Sequence, residues 1–360
     1  MCSEKIICSS MGRLSTGEEV KRFRLQNASG AYCDIATLGG CVMRIVVPDR
    51  NGEMDDVIVG YDTIESLEAW GGHFGKIVGR FANRIADGTF CLNGKTYQLA
   101  KNNGKNHLHG GPGGFHTRIW DAQILEDTLE LTYVSPDGEE GYPGALTVKV
   151  RYSFSEDNVL SIAYEAISDQ DTVVNFTNHA FFNLGGLHCE NVLNHDMQLF
   201  ADSITEVADR GCIPTGRLMP VADTPLDFTQ PRKIGERIGC FDSCDQLRYG
   251  NGYDHNYVIN EWDGTLRCAA ITREPVSGRV MSTWTDAPGV QFYSGNGLGN
   301  YPHTRGKLGV PHVTYQAFCL ETQYFPDSVN QPAFPSCVLK KDTVFQTKTE
   351  YRFTTDDKKE

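Results

Sequence analysis

The stretch LTVKVRYSF, residues 146–154, constrains this chain more than any other feature. Leu146, Val148, Val150, Tyr152 and Phe154 alternate with Thr147, Lys149, Arg151 and Ser153. A period of two puts apolar side chains on one face and polar ones on the other, the pattern of a half-buried strand. LSIAYEA, starting at Leu160, alternates again through Ile162, Tyr164 and Ala166. The polar link SEDNV between the two runs predicts a hairpin. Asn93-Gly94 lies between FCL and KTYQL, and Asp263-Gly264 between VINEW and TLRCAAI. Both dipeptides tolerate positive φ, so each predicts a two-residue hairpin turn. Helical periodicity is weak, and TIESLEAW at 63–70 is the best helix segment. Many short strands joined by tight turns predict an all-β sandwich or barrel. Residues 1–360 are expected to form one large antiparallel domain with a frayed DDKKE tail.

Composition narrows the partners. The formal net charge is -13, which repels phosphate backbones and anionic membrane surfaces. Neither nucleic acid nor membrane is therefore expected, and a neutral small molecule is. MCSEKIICSS carries Glu4 and Lys5 and no apolar run of signal-peptide length. No stretch is apolar for long enough to span a bilayer. The 12 cysteines include no C-x-x-C pair, Cys240 and Cys244 being the closest two. They read as reduced thiols of a cytoplasmic protein, in which the sequons at Asn27 and Asn175 carry no glycan.

Several motifs offer chemistry. GNGLG at 295–299 is followed by NYPHTRG, without the helix pattern a phosphate-binding loop needs. No G-x-S-x-G elbow or P-loop is present. In NHLHGG, His107 and His109 would share one face of a strand, a possible start of a metal site, but Gly-Gly-Pro-Gly-Gly follows where a third ligand is wanted. His107 reads equally well as a surface residue. In AFCLETQYFPDSVNQPAFP, Glu321 alternates with Phe318 and Leu320 and precedes Gln323, Asp327 and Asn330 in a proline-punctuated loop. GRFANRI presents Asn83 and Arg84, YDHNYV presents Asp254 and His255, and GVQFYSGN puts Gln291 and Tyr293 on one face. NFTNHAFFNL holds His179 between asparagines and phenylalanines. Singly, each has an ordinary structural reading: a buried histidine, an ion pair at a sheet edge or a solvated carboxylate.

In order and spacing, GRFANRI, LHGG, SPDGEEGYPG, TNHAFFNL, DHNYV, GVQFYSGN and ETQYFPDSVNQPAFP resemble the aldose 1-epimerases, also called galactose mutarotases. The resemblance runs from about Gly79 to Pro335. It implies a large antiparallel β-sandwich, a free hexose as substrate, a monomer or homodimer, and neither metal nor cofactor. It implies Glu321 as general base, His179 as general acid and His109 as a second histidine near the ring oxygen. Asn83, Arg84, Asp254 and Gln291 match residues beside the sugar, and Phe182 or Tyr293 would pack on its apolar face. Phe181 departs from the family's usual tyrosine, a loss expected to reach only an outer hydrogen bond, and Ser328 replaces a usual alanine.

Three other readings stay open at this stage. A sugar-binding protein on the same fold would be expected to lack one of Glu321, His179 and His109. A glycoside hydrolase would use two carboxylates, here Glu321 and Asp254. An epimerase of sugar phosphates would want clustered cations, and Arg84 is the main one near these motifs.

Overall fold

The computed structural model describes residues 5–300 and 305–356. Its largest sheet has nine strands. From one edge these are Asp121–Leu125, Thr128–Ser135, Leu146–Phe154, Val159–Ser168, Val344–Thr355, Arg279–Thr285, Arg267–Arg273, Asp196–Leu199 and Arg232–Lys233. Leu146, Val148, Val150 and Tyr152 are fully buried on its inner face. Each such side chain contributes about 1.5–3 kcal/mol on burial. On the outer face Arg151 stands opposite Glu130 at 2.7 Å, and Lys149 stands opposite Glu165. Arg151 is itself more than a third exposed, and a solvent-screened ion pair is worth about 1 kcal/mol, so the apolar face sets which way the strand turns.

Two five-stranded antiparallel sheets complete the frame. One runs Ile6–Arg13, Glu19–Gln26, Tyr32–Ala36, Cys41–Pro48, Met54–Asp56. The other runs Pro214–Pro220, Ser203–Val207, Asp254–Val258, Gly289–Tyr293, Cys319–Gln323. A common core draws Phe23, Ile35 and Ile45 from the first, Val148 and Ile162 from the large sheet, and Tyr257, Phe292 and Leu320 from the second. The expected all-β, antiparallel sandwich is what forms. Among the described residues there are two α-helices of six residues each, Ile64–Ala69 and Asp245–Gly250. The first is the expected helix, and the Thr63 hydroxyl caps it by accepting from the Ser66 amide. No helix of the described residues is long and apolar enough to cross a membrane.

The SEDNV and Asn93-Gly94 hairpins form as expected. Leu92 pairs with Lys95, and Asn93 and Gly94 have φ of 53° and 76°, the geometry of a two-residue turn. The Asp263-Gly264 hairpin does not form. That turn instead carries the chain from Asp254–Val258 in one sheet to Arg267–Arg273 in another. The Asp263 carboxylate accepts from the amide and hydroxyl of Thr265, so the dipeptide does make a turn, but strand pairing is decided by the sheets. The described cysteines are all free thiols; Cys2 lies outside the described residues, as do residues 301–304 after GNGLG and 357–360 of the tail. Both sequon asparagines are buried and hydrogen-bonded within the fold.

Candidate active site

Six of the seven matched motifs, all but SPDGEEGYPG, meet at a cleft of about 200 Å³. Asn83, Arg84, His109, His179, Asp254 and Glu321 all line it, joined by His73, Leu108, Phe181 and Tyr293. Strand parity places the carboxylate. Along Cys319–Gln323, Leu320 enters the common core, so Glu321 emerges on the opposite side. Glu321 is 3% exposed, and its Oε1 lies 3.6 Å from His179 Nε2. Its Oε2 is buried without a protein partner. Burial, reinforced by the Asp254 charge and opposed by Arg84, pushes the Glu321 pKa up to about 8.

His179 sits between the short strands Thr177–Asn178 and Phe181–Phe182. Its backbone is tied on both sides: its amide donates to the Lys76 carbonyl, and its carbonyl accepts from the Gly75 amide. The Cys319 sulfur lies 3.5 Å from its Nδ1. Burial forces the Cys319 thiol well above its ordinary pKa, so it keeps its proton and can donate it to Nδ1. That contact favours the tautomer with the ring proton on Nε2, facing Glu321. Burial also lowers the His179 pKa to about 4, against the Asp254 charge, which raises it. Between about 4 and about 8 the Glu321–His179 pair therefore holds one proton between its two members.

His109 is held in the opposite sense. Its Nδ1 accepts from the Asn83 amide at 3.1 Å, and its own amide donates to the Asn83 carbonyl. The ring proton of neutral His109 is thus on Nε2, a hydrogen-bond donor for the cleft. Asn83 and His109 both have left-handed backbone, with φ of 64° and 53°, a strain the reciprocal bonds offset. Gly110 follows with φ of 79°, and a Cβ there would meet the Gly79 carbonyl at 1.9 Å, which accounts for glycine in LHGG. Arg84 donates to Asn103 through Nε and lies 3.9 Å from Asp254. Asp254 accepts from Gln291 at 2.7 Å, and Gln323 bonds Gln291 in turn.

Other expectations need correction. His107 and His109 do not share a strand face, because the strand ends at Leu108 and His109 turns left-handed. Nor is His107 a surface residue: it is fully buried, with Nδ1 on the Ala100 carbonyl and Nε2 on the Tyr142 hydroxyl, so it buttresses the loop. Phe182 packs in the core against Phe318 and Tyr351, away from the cleft. Phe181 reaches the cleft instead, its ring stacked 4.9 Å from His179, so the departure from tyrosine falls directly beside that histidine. Gln291 supports Asp254 and is absent from the cleft wall. His73, unmarked in the glycine-flanked GGHFG, was missed: its ring lies 4.8 Å from that of His109 and 6.0 Å from that of His179.

His109, His179 and Glu321 offer nitrogen and oxygen atoms within 4.8 Å of one another. As a cation site the set fits poorly, since Asn83 occupies Nδ1 of His109 and leaves the proton on Nε2. The same atoms suit proton transfer: one buried carboxyl, one imidazole, and a donor beside them.

Comparison with known proteins agrees over nearly the whole chain. The aldose 1-epimerase family profile matches residues 21–352. The chain is 40% identical to a galactose mutarotase from Bos taurus over 334 residues, covering 93% of this chain and 94% of that one. It is 34% identical to an aldose 1-epimerase from Escherichia coli over 340 residues, 94% of this chain and 96% of the relative. The solved structure of an aldose epimerase homologue from C. elegans superposes with a TM-score of 0.84 at 27% identity, covering 93% of this chain and 98% of that one.

Proposed function

This chain belongs to the aldose 1-epimerase family, enzymes that interconvert the anomers of aldoses, and we propose that its substrate is a free hexose, D-galactose and also D-glucose. Residues 1–360 act as one catalytic unit in this reading, consistent with the extent of the family match. In the form of the pair that carries its single proton on His179, the ionised Glu321 removes the proton from the hydroxyl on C1, and His179 Nε2 delivers its proton to the ring oxygen. The C1–O5 bond breaks and a free aldehyde forms. Rotation about C1–C2 presents the other face, and reversal of both proton transfers closes the opposite anomer. Base and acid must reach two oxygens on the same carbon, which suits side chains 3.6 Å apart. Electrons and protons balance without an outside reductant or oxidant.

The observation that carries this reading is the buried Glu321–His179 pair, with one carboxylate oxygen left unpartnered. His109 Nε2 would donate to the ring oxygen region. Asp254, Arg84 and Asn83 would take up sugar hydroxyls, with Gln291 holding Asp254 in place. The test is polarimetry on freshly dissolved α-D-galactose and α-D-glucose. The expected result is faster mutarotation of both sugars, their rate ratio giving the preference. Acceleration of neither sugar rejects the substrate assignment. Release of reducing sugar from a disaccharide would point to hydrolysis.

A further inference from the structure

A second cleft, of about 460 Å³, lies behind the wall of histidines. His73 lines the first cleft and His116 the second, and their rings are 4.1 Å apart. The second cleft is bounded by Lys76, His116 and Arg118 within and by Thr16, Glu18 and Glu68 at its rim. Lys76 is 3% exposed, yet among the described residues its ammonium has no carboxylate partner. Lys307, similarly buried, holds Asp56 at 2.8 Å. A buried ammonium is costly unless it is paired or loses its proton, and burial does lower the Lys76 pKa. Two further nitrogens nearby, His116 Nδ1 and Arg118 Nε, are buried without a hydrogen-bond partner. Arg118 also holds Glu139 at 2.8 Å, so its charge is already matched. Glu18 and Glu68 are exposed and tied to the hydroxyls of Thr16 and Ser15.

We propose that this cleft is a second binding site, separate from the aldose cleft, for a small hydroxylated oxyanion. A carboxylate or phosphate sits on Lys76, and hydroxyl groups of the same molecule donate to Glu18 and Glu68. The charge pattern is the argument: an unmatched cation lies at the bottom, and carboxylate acceptors at the rim select a polyol over a bare anion. The backbone of Lys76 lies between the two clefts: its amide donates to the His73 carbonyl and its carbonyl accepts from the His179 amide, each at 3.0 Å.

The test is calorimetric titration of the full chain at low salt with sodium gluconate, glucose 6-phosphate and inorganic phosphate. Each titration is run with and without saturating D-galactose. One saturable site is expected for gluconate or glucose 6-phosphate, with inorganic phosphate weaker, and galactose leaving the site open. Binding of gluconate alone assigns a carboxylate ligand, and of glucose 6-phosphate alone a phosphate ester. Lys76→Met should weaken binding about tenfold or more. Glu68→Gln, an exposed change that spares the fold, should tighten inorganic phosphate about threefold by removing a like charge. Absence of saturable binding overturns the proposal. So does displacement by galactose, or wild-type affinity in both variants.

Discussion

Replacing Glu321 by glutamine should make this protein slower and more stable at once. The side chain keeps its shape, and Oε2 has no protein hydrogen bond to lose. Loss of a general base typically costs about 10²- to 10⁴-fold in rate. Stability follows from the shifted pKa. Glu321 titrates at about 8 in the folded protein against an ordinary 4.5, because burial disfavours the carboxylate. The folded state therefore binds more protons than the unfolded state across that interval, so wild-type stability falls as pH rises from 4.5 through about 8. At pH 7 the gap is about 2.5 pH units at about 1.4 kcal/mol each, on the order of 3 kcal/mol. With about 2.1 cal/mol/K per residue of unfolding entropy, a chain of this length should gain about 4 °C. Polarimetry gives the rate, and thermal unfolding of both proteins from pH 4.5 to 8.5 gives the stability. The advantage of Glu321→Gln should vanish near pH 4.5. Parallel stability curves for the two proteins would refute the buried, raised carboxyl, and undiminished mutarotation would refute its role as base.

Other outcomes follow from the same geometry. The pH profile of kcat/KM should be bell-shaped with limbs near 4 and 8, since the pair holds one proton only between them; a profile flat across pH 8 counts against this. Cys319→Ala should lower kcat about fivefold with KM little changed, the worth of one weak hydrogen bond to His179 Nδ1, and Cys319→Ser should restore most of the rate. Asn175→Ala should cost about 2–4 kcal/mol in urea unfolding, because its amide serves the Ala82 and Tyr324 carbonyls and the Tyr324 amide, all left wanting partners.

How far the site could be read in advance depended on what each residue announces locally. The face taken by Glu321 was legible because Phe318 and Leu320 precede it with strict parity, whereas its role as base rested on the resemblance to the family. Phe181 and Phe182 gave no such mark: two like residues in a two-residue strand do not say which faces the core. Gln291 shares a face with Tyr293, but its reach ends at Asp254, a contact set by the pairing of their two strands through Asn256. His73 sits among glycines without periodicity, and only the return of the chain brings His109 and His179 to it. Asp263-Gly264 shows the same limit for the fold, since turn chemistry is local and strand pairing is not.

Asn175 points to a consequence for how the protein comes into being. One amide side chain joins the segment after Gly79 to the end of the Cys319–Gln323 strand, while its own backbone continues toward His179. The four groups around the proton come from positions 83, 109, 179 and 321, so no early, local piece of the chain contains the cleft. Long-range closures of this kind form slowly. On refolding, secondary structure should return first and catalysis last, and the regain of mutarotation would time the closing of the whole sandwich.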